Sequence, residues 1–214
     1  MKRGKFEDGN FYHIYNRGTD KRNVFVDRED FERFLESMQL FNTLEPIGGV
    51  YAKFLLERNN LKQRARRPTS SEKLVKIICY CLNPNHFHLI LEQLTEGGVS
   101  EFMKRLGGYT KYFNYKYKRS GVLFQGKFKS VLIDSNEYLL HASVYVNLNN
   151  QVHQLKQKEF LSSWVEYITP AVAGLCSRDI IIDQFHDREE YKKFAQDSLR
   201  DILERKELAR ELES

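Results

Sequence analysis

Two histidines separated by a single residue, His86 and His88, are the clearest candidates for chemistry in this sequence. If residues 86–93 form a β-strand, successive side chains alternate between its faces, so both imidazoles project the same way while Phe87 and Leu89 point into a core. One metal ion can then contact both rings. Taken alone, such a pair is more often two half-buried polar side chains, and the sequence leaves both interpretations open.

Tyr145 and Asn149 form a second pair, four residues apart and therefore on one face of a predicted helix. Two neutral imidazoles and an amide oxygen can hold a divalent metal and leave positions for phosphate oxygens. A tyrosine on the same side can then attack the phosphorus. By position alone, Tyr145 is one of 12 tyrosines and fits a core or surface role equally well.

The charge pattern predicts a polyanionic partner. Every charged residue between positions 104 and 129 is basic, and aromatic residues that can stack on unpaired bases lie between them. About half of these aromatic residues fit the buried stripe of a helix equally well. The predicted DNA-contacting residues are Arg17, Lys104, Arg105, Lys111, Lys116, Lys118, Arg119, Lys127 and Lys129.

Hydrophobic periodicity predicts the elements that position these groups. Asp27, Ser100 and Ser135 stand where helix N-caps are expected. The predicted order is strand 11–17, helix 27–42, strand 74–82, strand 86–93, helix 100–117, extended segment 122–134 and helix 135–148. This order predicts an α+β fold, a ferredoxin-like split βαβ antiparallel sheet with one added helix.

Three parts of the chain are less clearly defined. His13, on the opposite face of its strand from Tyr12 and Ile14, is interpreted as structural or as a neighbour of a phosphate. As a third metal ligand it would need its strand to lie beside that of His86. Residues 50–71 contain a basic loop that fits a solvated insertion or a DNA-contacting arm, and residues 151–214 are predicted to be a helical appendage.

Length and composition set the class of protein. A chain of 214 residues fits one domain of residues 1–150 with a C-terminal extension. Cys79, Cys81 and Cys176 lack zinc-type spacing and are predicted to be reduced thiols. With no apolar run of signal-peptide or membrane-span length, the sequence predicts a cytoplasmic protein without membrane contact.

Four sequence blocks together resemble the HUH single-tyrosine transposases, in which HUH denotes histidine, a bulky hydrophobic residue and histidine. The resemblance is greatest to the branch associated with repetitive extragenic palindromes. The blocks are 12–18 (YHIYNRG), 83–90 (NPNHFHLI), 123–130 (LFQGKFKS) and 138–149 (YLLHASVYVNLN). Each block is weak evidence alone, but their combination in this order is specific.

The resemblance implies a bacterial or archaeal, nucleoid-associated enzyme that binds single-stranded DNA, often through a hairpin or palindrome, and cuts and rejoins it with Mg²⁺ or Mn²⁺. His86 and His88 match the metal-binding pair, Tyr145 matches the nucleophile, and Asn149 matches the third ligand. Cleavage would leave a 5′-phosphotyrosine on the enzyme and a free 3′-hydroxyl. Such a transposase would act in transposition and DNA recombination.

Two departures from the family pattern follow the tyrosine. Asn147 stands where the family often has histidine, and Asn150 stands where proline often follows the third ligand. The 151–214 tail is similar to the palindrome-associated branch and favours a monomer over a homodimer. A non-catalytic nucleic-acid-binding module of the same fold stays an alternative. An HUH replication initiator or relaxase is another, although those usually carry further domains or a second tyrosine.

Overall fold

Among the residues that the structure describes, five antiparallel strands form one sheet. The computed structural model describes residues 5–45, 72–156, 159–172 and 174–212. The strands are β1 (Phe11–Arg17), β2 (Val75–Asn83), β3 (His86–Gln93), β4 (Lys129–Ile133) and β5 (Leu161–Ser162). Their order is β4-β1-β3-β2-β5, and each neighbouring pair is antiparallel. The predicted ferredoxin-like order of the first four strands is confirmed. The basic loop predicted within residues 50–71 lies outside the described residues.

Helices cover the sheet, and the predicted caps at Asp27 and Ser135 are confirmed. The Asp30 backbone N–H donates to Asp27 Oδ1 at 3.1 Å, and the Tyr138 N–H donates to Ser135 Oγ at 3.2 Å. Both side chains thereby satisfy a backbone donor that a helix start leaves unpaired.

The helices are α1 (Arg28–Leu40), α2 (Gly98–Leu106), α3 (Tyr109–Lys116), α4 (Asn136–Asn147), α5 (Asn149–Val152), α6 (Trp164–Ile168), α7 (Asp179–Ile182) and α8 (Arg188–Leu212).

The single helix predicted over residues 100–117 is wrong in two respects. Helix α2 begins at Gly98, after Gly97 in the left-handed region (φ +72°), so Ser100 lies inside the first turn and is not its N-cap. Gly107 and Gly108 then separate α2 from α3. Glycine is less favourable in a helix than residues with a side chain. Here the Thr110 N–H donates to the oxygen of Gly107, three residues earlier, at 3.2 Å, which is the tighter 3-10 pattern and not that of an α-helix.

The sheet has a hydrophobic core on each face. One core contains Phe87 and Leu89 of β3 together with Phe34 of α1 and residues of α2 and α3. The opposite core contains Ile90 of β3 with residues of α4, α7 and α8. His86 and His88 alternate with Phe87 and Leu89 and therefore project from the second face, as the strand periodicity predicts.

Residues beyond 150 cover part of that second face. β5 pairs with β2, and the Tyr167 hydroxyl of α6 donates to Ile78 O at 2.7 Å. Tyr191 and Ala195 of α8 are fully buried in the same core. The domain boundary between 150 and 151 stays a prediction, but the described residues after it pack on the sheet.

All three cysteines are free thiols, which agrees with the predicted reduced state. Cys79 and Cys81 are buried on β2, where they act as small core residues. Within the described ranges, every helix is too short or too polar to cross a bilayer.

Candidate active site

A tight hairpin presents the two histidines. Asn83 of β2 pairs with His86 of β3, which leaves Pro84 and Asn85 as the turn between the strands. The imidazole centroids of His86 and His88 are 5.2 Å apart and perpendicular. His88 is 7% exposed and His86 is half-buried, and both line a cleft. The sheet thus fixes both rings side by side on one surface.

Asn149 and Tyr145 lie beside these rings, but not on one uninterrupted helix as predicted. Leu148 leaves the helical backbone conformation (φ −108°, ψ 16°), so α4 ends at Asn147 and Asn149 begins α5. Asn149 Oδ1 nevertheless lies 3.0 Å from His86 Nε2. The Tyr145 ring stands edge-on to His88, with centroids 5.5 Å apart.

The hydrogen bonds around His86 leave a lone pair on Nε2, the nitrogen that lies beside Asn149 Oδ1. His86 Nδ1 lies 2.6 Å from Asn85 Oδ1, an oxygen that accepts, so Nδ1 carries the proton. His86 Nε2 is then an acceptor. The Asn83 amide lies 2.9 Å from it and donates to Asn149 Oδ1 at 2.7 Å. His86 Nε2 and Asn149 Oδ1 are therefore two electron-pair donors 3.0 Å apart, and the Asn83 amide lies within hydrogen-bond distance of both.

This donor set fits a divalent metal. Two ligands about 2.1 Å from an octahedral ion stand roughly 3 Å apart when adjacent, and His86 Nε2 and Asn149 Oδ1 are separated by 3.0 Å. His88 Nε2 makes no hydrogen bond in the part of the chain that the structure describes. Its lone pair is therefore available for a third ligand bond to the metal. No group of three or more His, Cys, Asp or Glu side chains among the described residues could hold a metal. The fit therefore depends on the Asn149 amide.

Burial sets the protonation of the candidate ligands and nucleophile. Burial lowers the pKa of His86 and places that of His88 well below its usual range, so both imidazoles are neutral at pH 7. Metal ligation requires neutral rings. Burial raises the pKa of Tyr145, and the amide of Asn149 partly offsets it. Tyr145 therefore holds its phenol proton at neutral pH.

Two further histidines join the cluster, and the sequence analysis assigned neither of them to it. His13 Nε2 lies 2.8 Å from His88 Nδ1, because β1 and β3 are neighbours in the sheet. The His153 ring lies 4.7 Å from that of His86. Burial lowers the pKa of both His13 and His153 to about 4. The predicted sheet order is the sequence signal that could have placed His13 beside His88. The position of His153 could not be predicted in this way, because it depends on the break in the helix at Leu148.

A cleft of about 510 Å³, lined mostly by polar and charged residues, opens in front of His86 and His88. Of the predicted DNA-contacting residues, Arg17 and Lys129 line it. The Arg17 Nε–H donates to Gln125 Oε1 at 2.5 Å. The other lining residues are Tyr15, Asn16, Lys21, Asn85, Gln125 and His153, which the charge pattern did not identify as DNA contacts. The cleft combines cations, amides and an aromatic ring, and it is connected to Tyr145 through His88, whose ring packs against the phenol ring.

Arg105 and Lys116, two of the predicted DNA-contacting residues, have side chains that are only 13% and 17% exposed and are held by bonds within the protein. Arg105 pairs with Glu101 at 2.9 Å and donates to three backbone carbonyls that follow α1. Lys116 lies within 3.0 Å of three carboxylates at the start of α1. DNA contact by either residue stays a prediction, although its cationic end is already engaged.

The remaining predicted contacts are more accessible. Lys104 is 78% exposed in its side chain and pairs with Glu101, and Arg119 donates to Asn114 Oδ1 at 2.6 Å. Lys111, Lys118 and Lys127 are exposed. Their roles in DNA binding stay predictions.

The chain is similar to a transposase family model and to a solved transposase structure. A family model described as "Transposase IS200 like" matches residues 56–158, which include His86, His88, Tyr145 and Asn149. A solved structure of a REP-associated tyrosine transposase bound to a REP hairpin is similar in fold, with a TM-score of 0.51 and 14% identity. The similarity covers 82% of this chain and 88% of that chain. No curated protein matches the sequence. The predicted resemblance and the predicted α+β fold are both confirmed.

Proposed function

We propose that this relative of the IS200-like transposases cuts and rejoins single-stranded DNA with Tyr145 as its nucleophile. One observation carries the proposal: His86 Nε2 and Asn149 Oδ1 converge at 3.0 Å while the Tyr145 ring packs against His88. Two imidazoles, an amide oxygen and a phenol on one surface suit phosphoryl transfer, because they can hold a cation, a phosphate and a nucleophile together.

The reaction of Tyr145 conserves the number of phosphodiester bonds. Its phenol oxygen forms a bond to the phosphorus while the bond from phosphorus to the 3′ oxygen breaks. The phenol loses its proton and the 3′ oxygen gains one, which leaves a 5′-phosphotyrosine and a 3′-hydroxyl. Attack on the phosphotyrosine by a different 3′-hydroxyl reverses the step and joins two strands, so no external energy source is needed.

His86, His88 and Asn149 would hold Mg²⁺ or Mn²⁺, which when bound stabilises negative charge on the phosphate oxygens. The chain adds a donor of its own. Asn149 Nδ2 is buried and makes no hydrogen bond of ordinary length among the described residues, although the amide lies close enough to the Tyr145 phenol to lower its pKa. Buried polar atoms are normally paired, so this N–H is available to a phosphate oxygen.

The cleft supports a polyanionic substrate. Arg17, Lys21 and Lys129 supply positive charge along it, and Tyr15 offers a ring on which a base can stack. The structurally similar transposase is bound to a REP hairpin, which supports a DNA hairpin as the substrate here. The enzyme would act in the cytoplasm of a bacterial or archaeal cell, on the nucleoid, and as a monomer.

Covalent capture tests the proposal. We would incubate the full chain, with and without Mn²⁺, with single-stranded oligonucleotides that contain a hairpin from the DNA flanking its gene. Each oligonucleotide carries a label on either the 5′ side or the 3′ side of the hairpin. Denaturing gels should show a Mn²⁺-dependent protein–DNA adduct, carrying only the label on the 3′ side of the cut. Tyr145→Phe should abolish the adduct, while Tyr138→Phe, an exposed tyrosine on the same helix, should retain it.

Two outcomes would contradict the proposal. An adduct that persists in Tyr145→Phe would place the nucleophile elsewhere. Tight DNA binding with no adduct under any metal condition would favour the non-catalytic binding module of the same fold.

A further inference from the structure

His13 and His88 are joined by a contact that the sheet register builds in. β1 pairs with β3 so that Tyr15 lies opposite His88 and His13 lies opposite Ile90. The two imidazoles are therefore diagonal neighbours on one face of the sheet. His13 Nε2 lies 2.8 Å from His88 Nδ1, with ring centroids 5.0 Å apart and planes inclined by 26°. This distance is that of a hydrogen bond.

A hydrogen bond between two imidazoles restricts the tautomers of both rings. One nitrogen must donate and the other must accept. If His88 Nδ1 carries the proton, His88 Nε2 holds a lone pair and His13 Nε2 is the acceptor. In the opposite arrangement His13 donates, and the neutral His88 carries its proton on Nε2, where it would repel a cation.

His86 shows the same arrangement with a different partner. Its Nδ1 donates to Asn85 Oδ1 at 2.6 Å, and its Nε2 faces Asn149 Oδ1 at 3.0 Å. Each histidine of the pair thus has Nδ1 within hydrogen-bond distance of a neighbouring side chain, which leaves Nε2 as the nitrogen that can bind a metal. Outer partners of this kind set ring orientation and raise ligand basicity in metal sites.

We propose that His13 is a positioning residue that fixes His88 as its Nδ1–H tautomer and so prepares Nε2 to bind a divalent metal. His13 acts for His88 as Asn85 acts for His86. The inference rests on the proposed function, because it assigns His13 a role toward the metal site formed by His86, His88 and Asn149. It also predicts that His13 carries its own proton on Nδ1.

The variants must separate hydrogen bonding from packing, because His13 also packs edge-on against the Tyr145 ring at 5.9 Å. His13→Phe keeps an aromatic ring and removes the acceptor. His13→Gln restores an acceptor, since its Oε1 can take the place of Nε2. The matched control is His141→Phe, because His141 is an exposed histidine on α4 that contacts Phe194 and Ser198.

Calorimetric titration of the DNA-free full chain with Mn²⁺ gives the first readout. Loss of an outer partner typically weakens metal affinity by about 10–100-fold, so His13→Phe should bind Mn²⁺ more weakly by that factor. His13→Gln should recover most of the affinity, and His141→Phe should match the wild type. Circular dichroism verifies that each variant is folded.

Nitrogen NMR of the metal-free wild type gives a second readout that a merely structural role would not predict. Long-range ¹H–¹⁵N spectra of the histidine rings should show protonated Nδ1 and unprotonated Nε2 for both His13 and His88. A His88 protonated on Nε2 would overturn the inference.

The calorimetry separates the two levels of the proposal. If the wild type and His13→Phe bind Mn²⁺ equally well, His13 has no positioning role and the proposed function stands. If the wild type itself binds no Mn²⁺, the proposed function fails, and the inference about His13 fails with it.

Discussion

Lys116 is expected to stabilise the fold, although its position in the basic segment predicts a DNA contact. Its Nζ is paired with three carboxylates, at 2.8 Å from Asp27, 3.0 Å from Glu29 and 2.9 Å from Asp30. Asp30 is fully buried and also accepts from the Tyr117 hydroxyl at 2.7 Å. Lys116→Gln removes the cation that faces this buried carboxylate.

The size of the effect follows from burial. Removing one partner of a buried ion pair costs about 3–5 kcal/mol because the other charge stays buried. Here the side chains of Asp27 and Glu29 are 48% and 57% exposed, while that of Lys116 is 17% exposed, so water screens part of the interaction. We therefore expect a loss of about 2–3 kcal/mol, which lowers Tm by about 4–12 °C in a chain of this size.

Lys129→Gln is the matched comparison, because Lys129 is exposed and lines the cleft. Thermal unfolding followed by circular dichroism gives Tm, and titration of a single-stranded oligonucleotide at several salt concentrations gives the slope of log K against log salt. Each lost phosphate contact reduces that slope by about 0.7. We expect Lys129→Gln to reduce the slope with Tm unchanged, and Lys116→Gln to lower Tm with the slope unchanged.

The same interaction gives a pH dependence of defined sign. Burial raises the pKa of Asp27, but its hydrogen bonds with Lys116, the Asp30 backbone N–H and the Tyr117 hydroxyl lower this pKa below its usual value overall, and Lys116 contributes most to the lowering. A lowered folded-state pKa contributes stability above the unfolded value, near 4, and that stability is lost as pH falls through the folded value. The acid limb of the stability curve should therefore be shallower in Lys116→Gln. A Lys116→Gln variant with wild-type Tm and a reduced salt slope would refute this reasoning and support the DNA contact.

Three further predictions follow from other parts of the molecule. Mn²⁺ at about 100 times its Kd should stabilise the wild type by about 2.7 kcal/mol, which scanning calorimetry would show as a higher Tm. A similar rise in Tm for His86→Ala would argue against His86 as a ligand. Gly18→Ala should lower the urea midpoint, because a Cβ there would stand 2.1 Å from the carbonyl oxygen of Arg22; an unchanged midpoint would contradict the close approach. Tyr80→Phe removes the hydroxyl that donates to the buried carboxylate of Glu166 at 3.1 Å. We expect the free energy of unfolding, measured in urea, to fall by about 1–3 kcal/mol, and a variant with wild-type stability would contradict this.

Local pattern determined much of the fold from the sequence. The alternation of His86, Phe87 and His88 placed both imidazoles on one face, because side-chain direction in a strand depends only on residue parity. Asp27 and Ser135 marked helix starts, because a cap bonds a backbone N–H only three residues away. These features need no information about distant parts of the chain.

The predicted order of elements also determined the sheet topology and, with the four sequence blocks, the resemblance to the IS200-like transposases. The sequence did not determine which side chains complete the site. His13 meets His88 across 75 positions of sequence, and this contact exists only because β1 lies beside β3 in a fixed register.

Tertiary packing also decided which basic residues face solvent. Lys116 and Lys129 belong to one acid-free segment of the sequence, yet one is paired with carboxylates of α1 and the other lines the cleft. The break at Leu148 likewise depends on context, since the spacing of Tyr145 and Asn149 predicted one helix face for both residues, whereas the structure divides them between α4 and α5. Alternation and capping are set by near neighbours and can be read locally, whereas the partners of a charge or an imidazole are set by which distant segments the folded sheet brings together.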